Sequence, residues 1–303
     1  MPDAIQQIQV EREYKKHLDI TGEDIAKFRQ WLDTQPHLPG QHLTELDLIL
    51  VYYCCEHSME VSKQVLDLHF TLRTLFEVFF KNRVYDKKIE FTLNTVLFAP
   101  LPTPTVHGYR AIYLRLLDYD ARNFLFNDVV RTFMMVFDLW QYEEGTWPGF
   151  VITIDMDKAA LGHITKLEVM TIKRVLYFYL IFQECMLVKL KEVHFMNAPP
   201  FMDKLMMLLK PFLKKALMDI IYIHPVGTDS VNQYISKEAF PKDDGGDYLS
   251  HEAIKGKMNK SIRATFFRNE NLKRVNESLR PGGAAAIHDE FGIQGSFKKL
   301  DID

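Results

Sequence analysis

Residues 189–225 read KLKEVHFMNAPPFMDKLMMLLKPFLKKALMDIIYIHP, and this stretch decides the fold. Glu192-Val-His-Phe-Met196 is short and β-prone, and Pro199-Pro200 break the chain after it. A helix follows, because proline is tolerated in the first turn of a helix but not inside one. Phe201, Met202, Leu205, Met206, Leu208, Leu209, Phe212 and Leu213 recur at i, i+3/i+4, i+7 spacing, with Asp203, Lys204 and Lys210 on the remaining side. Met207 falls among the polar positions, so the apolar face is wider than the stripe of an ordinary surface helix. Ile220-Ile-Tyr-Ile223 then reads as a second strand. Spacing alone fits a buried helix, and a lid over a cavity for an apolar ligand is the sharper alternative. Pro211 has no N–H to give the Met207 carbonyl, so the helix is expected to kink or end there, with its hinge at that residue.

Working outward, Phe150-Val-Ile-Thr-Ile154 is a β-rich run ending at Asp155, as a buried central strand would. Tyr109–Leu116, introduced by Gly108, alternates in the manner of a strand. Between these runs lie helical segments: Asn127–Tyr142, with Val130, Phe133, Met134 and Phe137 in line, and Thr165–Val188. Strands alternating with helices of this length imply crossover connections and a mainly parallel sheet. Before Val96 no strand pattern appears. Ile25, Phe28, Trp31 and Leu32 share one helical face, Leu46–Cys55 continues helical, and Ser58 is placed to cap a helix from Met59 to about Asn82. Val231–Phe240 is expected to form one short helix, and the Gly-rich tail after Arg280 to be irregular. The expected organisation is an α/β protein in three parts: a helical bundle over 1–95, an α/β domain over 96–250, and a basic helix with an irregular tail over 251–303.

The 303 residues suffice for a sizeable core, and 22 Phe with 13 Met suit a soft apolar interior. A formal net charge of −3 argues against nucleic acid as the main partner. Basic residues nevertheless cluster in 189–215 and in 255–280, as solvated faces or as attractors of anionic lipid headgroups. Cys54, Cys55 and Cys185 offer neither a disulfide framework nor a metal-ligand spacing. With a polar N-terminus and no apolar run long enough to span a bilayer, the expected location is the reducing cytoplasm.

No nucleophile elbow, phosphate loop, dinucleotide fingerprint or zincin motif is present. The nearest approach to a catalytic group is Asp155 at a strand end, with Asp157 and His163 shortly after, where α/β enzymes place functional side chains. No partnered nucleophile or metal ligand set accompanies them, so the chain is not expected to be an enzyme. His194 and His224 lie inside strand-like runs and read as satisfied sheet histidines, and Gly245-Gly246 as a turn.

The order of helical bundle, Leu-Pro-rich connector (Leu101-Pro-Thr-Pro-Thr105), α/β domain, apolar helix and late Gly-Gly loop resembles the CRAL-TRIO (Sec14-like) lipid-binding family. The likeness lies closest to its insect branch similar to alpha-tocopherol transfer protein. Glu56–Asp67 with Thr71-Leu-Arg-Thr74 resembles that family's N-terminal helical domain, and Phe150–His163 its central strand and following loop. Val193-His-Phe-Met-Asn197 with Lys210-Pro-Phe-Leu213 resembles its strand, gate helix and hinge, and Gly295-Ser-Phe-Lys-Lys-Leu300 its C-terminal ending.

The resemblance implies a mainly parallel sheet with flanking helices and a mobile gate helix over a cavity for one hydrophobic molecule. It implies gate residues Phe201, Met202, Leu205, Met206, Leu209, Phe212 and Leu213. Neighbouring apolar elements then supply pocket-wall candidates Phe133, Phe137, Ile154, Met156, Leu161, Ile164, Ile172, Leu176 and Leu187. Lys189, Lys210, Lys214 and Lys215 are the implied contacts to phosphoinositides or other anionic membrane, although Leu50, Tyr53, Ala216 and Ile220 stand where the family carries basic residues. The implied function is transfer of a tocopherol- or retinoid-like lipid between membranes by a monomer that visits them transiently, with no metal and no cofactor beyond the ligand. The alternative is a phosphoinositide-binding docking module without transfer activity.

Overall fold

The computed structural model describes residues 7–167, 187–212, 215–262 and 266–283. Among the described residues, α-helices α1 (Val10–Lys16), α2 (Gly22–Asp33), α3 (Glu45–Cys54), α4 (Met59–Leu75), α5 (Glu77–Phe80) and α6 (Lys87–Thr95) come first, with a 3-10 turn over Gly40–His42. Their starts are chemically marked. Thr21 with Asp24, and Thr44 with Asp47, form reciprocal capping boxes, and the Asp86 carboxylate accepts from the N–H groups of Lys88 and Ile89 at 3.0 Å. Phe28, Leu32, Leu48, Ile49, Val51, Leu66 and Phe70 bury together as the core of this bundle. The single helix expected from Met59 to Asn82 is divided, because Phe76 leaves helical geometry at ψ 61° before α5 resumes.

The sheet has five strands in the order β1 (Val96–Pro100), β2 (Arg110–Leu116), β3 (Phe150–Asp155), β4 (Leu190–Ala198) and β5 (Ile221–Pro225). β1 pairs antiparallel with β2, and every later pairing is parallel. β1 is an addition to the sequence expectation, which began the sheet at Tyr109. Helix α7 (Phe126–Glu144) connects β2 to β3, and α8 (Leu161–Ile164) follows β3. The long helix expected over 165–188 lies almost wholly outside the described residues; of its described residues, neither 165–167 nor 187–188 is helical. Between β4 and β5 come α9 (Met202–Leu209), a 3-10 turn over Lys210–Phe212, and α10 (Lys215–Met218). The α-helix thus stops just before Pro211, as the missing N–H requires.

Residues in register across parallel strands share a face of the sheet. Leu114, Ile154 and Phe195 form one such row, and Ile152, Val193 and Ile221 another. The opposite face carries Tyr113, Thr153, His194 and Tyr222 in register and is covered by the chain after β5. Tyr234 packs on His194 and Tyr222 with ring centroids 4.8 and 4.9 Å away, and Phe240 meets Tyr113 edge-on at 5.5 Å. Where one helix was expected over 231–240 there are two 3-10 turns, Ser230–Gln233 and Lys237–Ala239. The Gly245-Gly246 turn is stereochemically specific. Gly245 is left-handed at φ +85°, and a Cβ on Gly246 would lie 2.1 Å from the Phe240 carbonyl oxygen.

Helix α11 (His251–Ile262) packs back on β1, α6 and α7, and α12 (Phe266–Glu270) completes a buried charge cluster between the helical bundle and α7. There Asp138 accepts from Arg73 and Arg83, each at 2.5 Å, and Lys273 bridges Asp47 at 2.8 Å and Glu270 at 2.5 Å. Burial pushes the Asp138 carboxyl up, but the two guanidinium groups outweigh it and hold it well below the carboxylate range. The basic run over 255–280 is therefore not a uniform cationic face. Lys273 is buried, Arg280 pairs with Asp67 and Glu277, and Lys255 pairs with Glu252.

Candidate functional site

A cavity of about 320 Å³ lies on the apolar face of the sheet. Its floor is the in-register set Leu114, Ile152, Ile154, Val193, Phe195 and Ile221, continued by Val96, Leu116 and Leu190. Alternation along each strand puts these side chains on one side and sends Tyr113, Thr153 and His194 to the other. One wall is α7 with the turn before it, through Phe124, Phe126, Val129, Val130, Phe133 and Met134. A second comes from the segment after β3, through Met156, Ala159, Ile164 and Leu167. Phe201, Leu205 and Leu209 reach in from α9 and its N-terminal edge, one helical turn apart, with Leu217 of α10 beyond them. Among the described lining residues only Arg115, Asp155 and His163 are polar.

The wall charges are internally compensated. Asp155 Oδ2 accepts from the Tyr113 hydroxyl at 2.7 Å and from Arg115 Nη1 at 2.5 Å. Its Oδ1 accepts from the Asp157 N–H at 2.9 Å and from Asn197 Nδ2 at 2.8 Å. Asn197 reaches it because its backbone sits at φ +48°, a region asparagine tolerates. Arg115 also bonds Asp157 at 2.8 Å and Asp244 at 2.9 Å, so Asp244, just before the Gly-Gly turn, is tied into this network. With burial leading and the Asp155 charge adding to it, the Tyr113 phenol is held protonated. This is a structural aspartate with all of its acceptor directions used, not an unengaged base. His163 stands apart from it, buried at 6% exposure. His163 Nδ1 accepts the Ala160 N–H at 3.0 Å, and its Nε2 has no hydrogen-bond partner among the described residues.

The sequence-derived wall candidates divide. Phe133, Ile154, Met156 and Ile164 line the cavity. Phe137 does not: it packs in the core against Phe150 at 5.1 Å and Trp147 at 5.6 Å. Leu161 is 46% exposed, since the first turn of α8 turns it outward. Leu187 is buried in the cluster of the N-terminal helices instead. Ile172 and Leu176 lie outside the described residues. Of the gate set, Phe201, Leu205 and Leu209 line the cavity, while Met202 and Met206 pack on the Phe195 cluster beside it. Phe212 belongs to the 3-10 turn, and Leu213 is outside the described residues. Apart from Ile154, the sequence reading missed the strand residues of the floor, and it missed the aromatic pair Phe124 and Phe126. The in-register apolar positions of β2 and β3 were the available signal for the floor.

Of the membrane candidates, Lys189 forms an ion pair with Glu56 of the helical bundle. Lys210 and Lys215 are exposed, with no ion pair among the described residues, and Lys214 lies outside them. Beside them in the chain, Met207 is 72% and Met218 41% exposed. On the far face of the sheet a hydrogen-bonded chain links His107, Glu192, His194, His224 and Ser230. Its successive spacings are 3.1, 3.0, 2.9 and 2.7 Å. Among the described residues no cluster of side chains is arranged to hold a metal ion, and no helix is long and apolar enough to cross a membrane.

Residues 95–246 match the family described as CRAL/TRIO domain, and residues 19–89 match one described as Pinta-like, UBA domain. Clavesin-1 of Mus musculus is 24% identical over 247 residues, covering 81% of this chain and 68% of its own length. The Homo sapiens protein named alpha-tocopherol transfer protein-like is 23% identical over 183 residues, covering 60% of this chain and 52% of its own length. The crystal structure of Sfh5 superposes with a TM-score of 0.38 at 10% identity, covering 71% of this chain and 85% of that one.

Proposed function

The chain belongs to the CRAL/TRIO domain family of lipid-binding and transfer proteins, and from that premise we propose that it carries one small lipophilic molecule between membranes. The observation that supports this reading is the cavity, whose described wall is apolar except for one compensated ion pair and one histidine. An apolar ligand entering it gains roughly 25 cal/mol per Å² of buried surface before the cost of association. Helix α9 is the lid. It is the element that contributes Phe201, Leu205 and Leu209 to the cavity while presenting Met207 and Lys204 outward. Its two ends are a double proline and a 3-10 turn rather than continuous helix, so it moves as a unit about Pro200 and Lys210–Phe212.

Lipid extraction of the purified protein followed by mass spectrometry tests the cavity, and transfer of tocopherol between vesicles tests the traffic. Tocopherol is the first probe because a relative carries it in its name. A reproducibly empty protein that accelerates no transfer would refute the proposal. A docking role at anionic membranes without transfer is the second reading, favoured by exposed Lys210 and Lys215 next to Met207 and Met218. Vesicle flotation with no accompanying transfer would select it.

A further inference from the structure

We propose that His163 is the polar anchor of the cavity, donating from Nε2–H to a single neutral oxygen, a hydroxyl or a carbonyl, at one end of an otherwise apolar ligand. The inference rests on the cavity being the ligand site and adds the chemistry of the ligand's head. It begins from an unpaired atom. His163 is 6% exposed, it lines the cavity, and its Nε2 has no partner among the described residues. Buried polar atoms are paired in folded proteins with few exceptions, because an unmade hydrogen bond forfeits the solvation of the group.

The direction of the missing bond follows from the other ring nitrogen. The Ala160 backbone N–H can only donate, and it points at His163 Nδ1 at 3.0 Å. Nδ1 is therefore the acceptor, and the ring proton sits on Nε2. The imidazole also meets the Phe124 ring edge-on with centroids 5.7 Å apart, so its plane is held on a second side. What stands in the cavity wall at this point is an oriented histidine whose Nε2–H has no partner among the described residues.

Charge narrows the class further. Arg115 and Asp155, the other polar residues of the described wall, are bonded to each other and to Tyr113, Asn197, Asp157 and Asp244. Among the described lining residues a carboxylate or phosphate head would find no uncommitted countercharge, and leaving a buried ion uncompensated is costly. A neutral alcohol or ketone needs only the one donor that is available.

The test uses the full chain, stripped of lipid, with Nile red as cavity dye and decan-1-ol, 2-decanone, decane and decanoate as competitors. The alcohol and the ketone should displace the dye at about fivefold to tenfold lower concentration than decane, the ratio expected for one net hydrogen bond. In His163→Asn, which keeps an acceptor near the Ala160 N–H but lacks a donor at the Nε2 position, the difference should fall within about twofold. Imidazole ¹⁵N resonances of the unaltered protein should shift at Nε2 with decan-1-ol and not with decane, which decides the matter even if the variant misfolds. Equal displacement by decane and decan-1-ol, or strongest displacement by decanoate, overturns the anchor alone. Displacement by none of the four overturns the anchor together with the cavity reading.

Discussion

Arg83, 1% exposed, donates from Nη1 to Asp138 Oδ2 at 2.5 Å, and so fixes the turn before α6 to the middle of α7. Arg73 of α4 holds the other oxygen of the same carboxylate, and Glu270 of α12 lies 3.6 Å from Arg83. Removing one member of such a buried set strands the others without compensation. Asp138→Ala is expected to lower unfolding free energy by about 3–5 kcal/mol, read from urea denaturation curves at neutral pH. A loss below about 1 kcal/mol would mean that the cluster is solvated in the folded protein.

Acid should weaken the sheet face opposite the cavity. Burial holds His194 below its ordinary value, with Glu192 pulling the other way, and burial together with the neighbouring His194 lowers His224. Glu192 accepts from His194 Nε2, so His194 Nδ1 must accept from His224, and a proton added there would set two donors face to face. In the unfolded chain histidine titrates near about 6.5. The unfolded state therefore binds more protons as pH falls through that value. Stability should be full above it and decline below it. Denaturation midpoints measured between about pH 8 and pH 5 should show this decline, and His224→Gln should flatten it.

Filling the cavity should separate binding from folding. Ile154→Trp places a large side chain on the floor beside Leu114 and Phe195. We expect ligand affinity to fall at least tenfold while the circular dichroism spectrum keeps its native form. In the unaltered protein, ligand at a hundredfold excess over Kd should add about 2.7 kcal/mol of stability, seen as a higher Tm. In the variant that increment should vanish.

The lysines should not be equivalent at a membrane. Lys210→Ala with Lys215→Ala removes two exposed charges and should weaken binding to anionic vesicles by about 2 kcal/mol at low salt. Lys189→Ala, whose charge is already opposed by Glu56, should change it by less than about threefold. Co-sedimentation over a salt series distinguishes the cases, since the electrostatic part fades as the Debye length shortens.

Much of the fold was legible because periodicity and breakers are local. β2 and β3 fall within a residue of the expected runs, and α9 stops where Pro211 demands. β1 escaped because Val96-Leu-Phe-Ala-Pro100 follows α6 without a break and is too short for its period to show. The cavity was harder. Phe133 and Phe137 sit one turn apart on α7 with the same chemistry, yet one faces the cavity and the other packs on Phe150 and Trp147. Whether an apolar side chain meets a neighbour or a void depends on chain segments remote in sequence, which no local pattern encodes. His163 is the sharper case, since what singles it out is an Nε2 without a partner among the described residues.

The strand order has a kinetic consequence. Each strand pairs with the one immediately before it in the chain, so the sheet can be completed from β1 to β5 in the order of synthesis. The floor formed by β2, β3 and β4 can exist before α9 and β5 leave the ribosome. The apolar face of the sheet is thus synthesised before helix α9, the segment that packs over it, so the nascent chain exposes that face until α9 follows.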